Sequence, residues 1–130
     1  MATILVVDDE PAVLKLCETI LRRGGHEPLA ASGAAEALKL LQDKADVIDF
    51  ALLDVIMPVM NGIELAGRIR QKNPQLQVVL MSGYSPREIM PLVGTHPYRV
   101  IWKPFKSESL LQMIENATPT KTVDPEGTDA

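Results

Sequence analysis

The chain has 130 residues, 46% of them hydrophobic and 23% charged, which suits one domain with its own core and no disulfide or metal staple. A net charge of −4 lacks the basic excess of a nucleic-acid footprint, so direct contact with nucleic acid is not expected. A single cysteine, Cys17, allows no intrachain disulfide, no apolar run approaches the ~20 residues of a membrane span, and "MATILVVDDE" turns acidic too soon for a signal peptide, so a cytoplasmic setting without membrane contact is expected.

Residues 3–7, "TILVV", are a β-branched apolar run that reads as a strand buried on both faces. Asp8-Asp9-Glu10-Pro11 follows, where proline suits the first turn of a helix and acids suit its positive end. Val13, Leu14, Cys17, Ile20 and Leu21 repeat at helical spacing until Gly24-Gly25 stops them. "HEPLAA", residues 26–31, is a weaker strand at a sheet edge, because Pro28 removes a ladder donor. Ser32 then caps a helix with Ala34, Ala37, Leu38 and Leu41 on one side. "FALLD", residues 50–54, is a third strand, and Asn61-Gly62 opens a helix with Ile63, Ala66 and Ile69 inward, ending near Asn73-Pro74. "QVVLMS" at 77–82 and "RVIW" at 99–102 are the fourth and fifth strands, and Ser107 caps a last helix carrying Leu110, Leu111 and Ile114. Five alternations of strand and helix argue for a doubly wound α/β fold, a parallel sheet with helices on both faces. Residues 1–117 form this domain, and "TPTKTVDPEGTDA", residues 118–130, reads as a disordered tail or linker.

The strand ends carry the chemistry. The first strand ends at Asp8-Asp9, the third at Asp54, the fourth at Ser82-Gly83 and the fifth at Lys103-Pro104. Ligands of open α/β sheets sit outside the carboxyl ends of the strands, so these residues converge on one mouth. Two carboxylates ~4 Å apart repel by about 4 kcal/mol at an effective dielectric near 20, which a proton or cation must relieve. Mg²⁺ (or Mn²⁺) fits best: Asp9, Asp54 and the Ile56 main-chain carbonyl as direct ligands, Asp8 through a bound water. Asp54 then looks like a nucleophile for phosphorus, with Ser82 donating a hydroxyl, Gly83 leaving room and offering its N–H, and Lys103 placing an ammonium on a phosphoryl oxygen. A cis Lys103–Pro104 bond would turn the lysine inward.

With "ILVVDDE", "LLDVIMPVMNG", "VVLMSGY" and "VIWKPF" in order and in register, residues 3 to about 117 resemble the receiver domain of two-component response regulators. The resemblance implies a five-stranded sheet of flavodoxin-like order 2-1-3-4-5 with five helices. It implies phosphoryl transfer to Asp54 from a histidine kinase or phosphotransfer domain, slow autodephosphorylation rather than enzymatic turnover, and a signal passed to an output domain or protein that the sequence does not name. "MSGYSP" is similar to receivers attached to hybrid histidine kinases. The switch region would comprise Ser82, Val100 and Trp102, with Val100 standing where many receivers carry a rotating aromatic. Ile56 and Tyr84, two residues after Asp54 and Ser82, would flank the path of an attacking water. Ser85-Pro86-Arg87-Glu88 reads as a capping box, and Pro91 leaves the fourth helix short or irregular, ending by Gly94, so that partners would not dock there in the usual way.

Other readings compete. Asp8 and Asp9 could only cap a helix, Ser82 could cap the next loop, and Lys103 could be a surface cation. Cys17 reads as core, His26 and His96 as solvent-exposed, Met57 and Met60 as loop packing, and Trp102 as packing. An Mg²⁺-dependent hydrolase with an aspartyl nucleophile would need a proton donor where Ile56 stands. A flavin module would not place Asp-Asp-Glu where phosphate binds. A constitutive docking domain would have no use for the acid cluster.

Overall fold

The computed structural model describes residues 1–94 and 97–117, so the expected tail at 118–130 and the reading of His96 lie outside the described residues. Strands β1 (Thr3–Val7), β2 (Glu27–Ala31), β3 (Phe50–Asp54), β4 (Gln77–Ser82) and β5 (Arg99–Trp102) alternate with helices α1 (Pro11–Arg23), α2 (Ala34–Lys44), α3 (Gly62–Lys72), α4 (Pro86–Val93) and α5 (Ser107–Ala117). All neighbouring strands are parallel, in the order β2-β1-β3-β4-β5, with β2 at the edge as Pro28 requires. Among the described residues no helix is long and apolar enough to cross a membrane.

Alternating strand side chains give the sheet two buried faces. Leu5, Val7, Ala51, Leu53 and Leu80 pack with Ala34 and Ala37 of α2 and with Leu65, Ala66 and Ile69 of α3. Ile4, Val6, Leu52, Val79 and Met81 pack with Cys17, Ile20 and Leu21 of α1 and with Leu110 and Ile114 of α5. Each large aliphatic side chain taken fully from water stabilises the fold by about 1.5–3 kcal/mol. Leu65, missing from the inward positions read for α3, is fully buried, while Ile63 is only half-buried. Cys17 is core as expected: burial and then the Asp8 charge push its thiol up to about 12, so it stays protonated.

Three local expectations fail for physical reasons. Gly33, not Ser32, is the N-cap of α2; Ser32 donates its N–H (2.7 Å) and its hydroxyl (2.9 Å) to the Glu36 carboxylate, which draws both away from the helix start. Those two donations hold the Glu36 carboxyl below its usual value. Ser107 is the first helical residue of α5 and not its cap, since the Lys106 carbonyl already accepts the Leu110 N–H at 3.1 Å. His26 is not an exposed loop histidine: it is half-buried, Nδ1 accepts the Ala2 N–H at 3.1 Å, and Nε2 is buried without a partner among the described residues. Burial, and then the chain's positive N-terminus, keep its pKa below the ordinary value.

The fourth helix matches its reading. Ser85 and Glu88 form a capping box, Pro86 occupies the first turn, Pro91 lies inside, and α4 stops after eight residues at Gly94 with φ +66°. Val59, in the loop after β3, has φ +71° and is fully exposed. A β-branched residue in the left-handed region carries about 1–2 kcal/mol of steric cost that asparagine escapes more readily. Val59→Asn is therefore expected to raise stability by about 1 kcal/mol, read as a higher urea midpoint at an unchanged slope; an unchanged or lower midpoint counts against the strain.

Candidate functional site

Sheet order creates the site. The chain leaves β1 toward β2 on one side and pairs with β3 on the other, so a crevice opens between the carboxyl ends of β1 and β3. The register holds the ends level: Val7 lies opposite Leu53, Asp54 opposite Met81, and Ser82 opposite Trp102. Asp8, Asp54, Ser82 and Lys103, far apart in sequence, thereby meet. Among the described residues the buried polar or charged side chains are Asp8, Asp54 and Ser82. Buried polar groups cost free energy unless paired, and three of them at one mouth make it the candidate site.

Lys103 is the centre of the arrangement. Its Nζ donates to Asp8 Oδ2 at 2.8 Å and to Asp54 Oδ1 at 3.4 Å, and stands 3.9 Å from Glu10 Oε1. Asp8 uses its other oxygen to accept the Glu10 N–H at 2.9 Å. Asp9 is exposed and has no hydrogen bond or ion pair among the described residues. Carboxylate oxygens of Asp8, Asp9 and Asp54 lie within 4.8 Å of one another, close enough to share a cation. Desolvation, reinforced by the Asp8 charge and only partly offset by Lys103, pushes the Asp54 carboxyl up to about 6. Burial works against the Lys103 ammonium, but its hydrogen bond to Asp8 and the Asp54 charge outweigh that and hold its pKa above the ordinary value.

The helix-capping alternative for the acids does not hold. Glu10 is the N-cap of α1 and makes no side-chain cap bond; Asp8 accepts only the N–H of that cap residue, through one oxygen, and Asp9 accepts none among the described residues, so the helix start does not account for the acid pair. Around β3 the backbone is fixed from the other side. A Cβ at Gly62 would collide with the Asp54 carbonyl oxygen, and the Gly62 N–H bonds the Val55 carbonyl at 2.8 Å, so glycine is required there by close approach. Asn61 and Glu64 close a capping box (2.9 and 3.1 Å) that starts α3 directly behind Asp54. Ile56 sits in the intervening bend, half-buried, and its carbonyl accepts no hydrogen bond among the described residues.

Ser82 Oγ donates to the Tyr84 carbonyl at 2.9 Å and accepts the Tyr84 N–H at 3.0 Å, while the Ser82 carbonyl accepts the Lys103 N–H at 2.7 Å. The loop-capping role and the site position thus belong to the same hydroxyl. Gly83 is exposed, and a Cβ there would meet only Lys103 Cδ at 3.9 Å, an ordinary contact, so lack of space does not explain this glycine. The Lys103–Pro104 peptide bond is cis. Val100 is half-buried on the same sheet face as Leu80, and Trp102, two residues on and opposite Ser82, is exposed and not packed in the core as expected. Tyr84 is about half exposed beside the mouth. The acid facing Lys103 that motif reading passed over is Glu10; its adjacency to the Asp8-Asp9 pair was the available signal.

The sequence profile described as "Response regulator receiver domain" matches residues 4–115. The chain is 31% identical over 114 residues to the autoinducer 1 sensor kinase/phosphatase LuxN of Vibrio campbellii, covering 88% of this chain and 13% of that protein. It is 35% identical over 116 residues to the response regulator protein FleR of Pseudomonas aeruginosa, covering 87% of this chain and 24% of that one. The chain therefore spans a quarter or less of the length of these two relatives. Among solved structures, the response regulator protein TrrA of Thermotoga maritima, in complex with Mg²⁺ and BeF, superposes with a TM-score of 0.74 at 30% identity, over 90% of this chain and 99% of that one.

Proposed function

The chain belongs to the response regulator receiver domain family, and on that premise we propose that residues 1–117 are a phosphoacceptor switch in a two-component phosphorelay, with Asp54 the residue that takes the phosphoryl group. The observation that carries this is the burial of Asp54 at the sheet's switch point, with Lys103 bridging it to Asp8. Residues 118–130 would serve as tail or linker, and the setting is cytoplasmic.

The donor set fits Mg²⁺ or Mn²⁺. It is all oxygen, three carboxylates lie within 4.8 Å of one another, and Asp9 and the Ile56 carbonyl are without partners among the described residues. Asp9, Asp54 and the Ile56 carbonyl would hold the ion directly; Asp8, with both oxygens already engaged, would act through water. When bound, the ion neutralises the clustered charge and that of the incoming phosphoryl oxygens. The TrrA complex with Mg²⁺ and BeF supports the assignment by likeness.

In the transfer, an Asp54 oxygen attacks phosphorus as the phosphorus–nitrogen bond of the donor's phosphohistidine breaks, leaving the electron pair on imidazole. Lys103 stabilises the phosphoryl oxygens at the mouth. Ser82 can donate to a phosphoryl oxygen only by releasing the Tyr84 carbonyl, so uptake frees the loop between β4 and α4. That exchange is the switch: a two-state equilibrium biased by contacts that only the phosphorylated form makes. Val100 supplies no aromatic ring to rotate, and Trp102, directly opposite Ser82, is placed to feel the change. Donor partners are a histidine kinase or phosphotransfer domain; the output partner is a further domain or protein.

Incubation with acetyl phosphate and Mg²⁺ is expected to add one phosphoryl mass, labile to hydroxylamine and mapped to Asp54 by borohydride reduction. Steady release of phosphate from assorted esters would instead indicate a hydrolase. Ile56 and Tyr84 screen the acyl phosphate from water, so Tyr84→Ala and Ile56→Asn should each shorten the phosphoryl half-life, by roughly 10-fold for a barrier change of 1.4 kcal/mol. An unchanged half-life in both variants removes the screening role.

A further inference from the structure

A second concavity lies between α2 and α3, mostly on helix turns that run back from the carboxyl ends of the strands and so away from Asp54. Two adjoining cavities of about 580 and 430 Å³ share Leu38, Gln42, Arg68 and Lys72 along their common wall. These volumes fall in the range of small-molecule sites. Lys39 joins Arg68 and Lys72 around the first cavity, and Leu41 with Leu38, both half-buried, lines the second. The three cations are exposed and make no ion pair or hydrogen bond among the described residues, although Asp43 and Asp46 stand on the same rim.

In a chain of net charge −4, three unpaired cations beside an apolar floor form a local inversion of charge with a hydrophobic neighbour. An arginine fork recognises a planar or tetrahedral oxyanion in two-point fashion, and two lysines add point charges without fixed geometry. We propose that the α2–α3 groove is a binding site for a small amphipathic anion, its acidic group on Lys39, Arg68 and Lys72 and its apolar body on Leu38 and Leu41. The occupant is a small molecule because the two cavities, about 580 and 430 Å³, are of small-molecule size and the cations that would hold its acidic group stand around them.

Naphthalene-1-sulfonate is a suitable probe, since it carries both parts and cannot transfer a phosphoryl group to the other site. Titrated into the ¹⁵N-labelled full chain, it should move the amide resonances of α2 and α3 around Leu38 and Arg68, saturating with a Kd below about 1 mM. Arg68→Glu should weaken it at least about 10-fold, whereas Lys15→Gln on α1 should leave it unchanged. If Arg68→Glu proves misfolded by circular dichroism, Lys39→Glu serves in its place. The site is refuted by shifts that avoid α2 and α3, by shifts that charge reversal leaves intact, or by equal shifts from 2-naphthol or inorganic sulfate alone at the same concentrations.

Discussion

Asp54→Asn is expected to abolish phosphoryl uptake from acetyl phosphate and, in the absence of metal, to make the protein more stable at pH 7.5. The first effect is the loss of the attacking oxygen, and a residual rate below about 10⁻³ of wild type is expected from the loss of the nucleophile. The second follows from where the carboxylate sits. Asp54 ionises near pH 6 in the folded chain against 3.8 for an ordinary aspartate. Between those pH values the folded state keeps a proton that the unfolded chain has lost, so this residue's contribution to stability falls as pH rises through the window and stays lost above pH 6. The cost at neutral pH is on the order of 3 kcal/mol. Asparagine removes the charge but also the 3.4 Å contact with Lys103, so a net gain of about 1–2 kcal/mol is expected, or several degrees in Tm. The gain should vanish at pH 4, where wild-type Asp54 is largely protonated. Mg²⁺ should raise the Tm of wild type more at pH 7.5 than at pH 5, because protons compete for the same oxygens, and should raise that of the asparagine variant much less. Uptake that survives Asp54→Asn, or a variant no more stable than wild type at pH 7.5, would overturn the assignment of Asp54 as the desolvated nucleophile.

That conflict between local stability and site chemistry explains which features the sequence revealed. Four of the five strands begin and end at the residues read from it, and β2 starts one residue later, at Glu27 and not His26, because short apolar runs stopped by acid, serine or lysine are unambiguous when both faces are buried. Asp8, Asp9, Asp54, Ser82 and Lys103 were legible because polar residues at strand ends have no core to serve, and parallel register brings those ends together. Less was legible where a side chain chooses between equivalent partners. Ser32 had the chemistry of an N-cap, but a carboxylate one turn on captured both its donors. His26 reads as a loop residue until β1 brings the Ala2 N–H against its ring. Trp102 reads as packing, yet β5 is the last strand of the sheet, so its outer side chains meet solvent. The pair of Ser82–Tyr84 hydrogen bonds was invisible for the same reason: one hydroxyl has several main-chain partners within reach, and only the turn geometry selects among them.

Replacing Lys103 by methionine separates charge from packing. The side chain keeps its length and its apolar stem, but Asp8, fully buried, loses the ammonium at 2.8 Å, and Asp54 loses its only nearby compensating cation among the described residues. Removing one partner of a buried pair costs roughly 3–5 kcal/mol when the remaining charge stays ionised. Here Lys103 is itself partly open to water, and protonation of a carboxyl offers relief, so a loss of about 1–3 kcal/mol at pH 7.5 is expected, shrinking toward acid pH. Because the Lys103 charge lowers the Asp54 pKa, its removal should also move the midpoint of the pH–rate profile for phosphoryl uptake upward. At saturating pH the rate should still fall about 10²–10³-fold, the range for losing one charged donor to a transferring group. Lys103→Arg should restore the pH midpoint but only part of the rate, since a planar fork cannot reproduce the position of a compact ammonium between two carboxylates. Wild-type uptake in the methionine variant, with an unmoved pH profile, would show that the lysine only packs the mouth and that phosphoryl charge is stabilised by other groups.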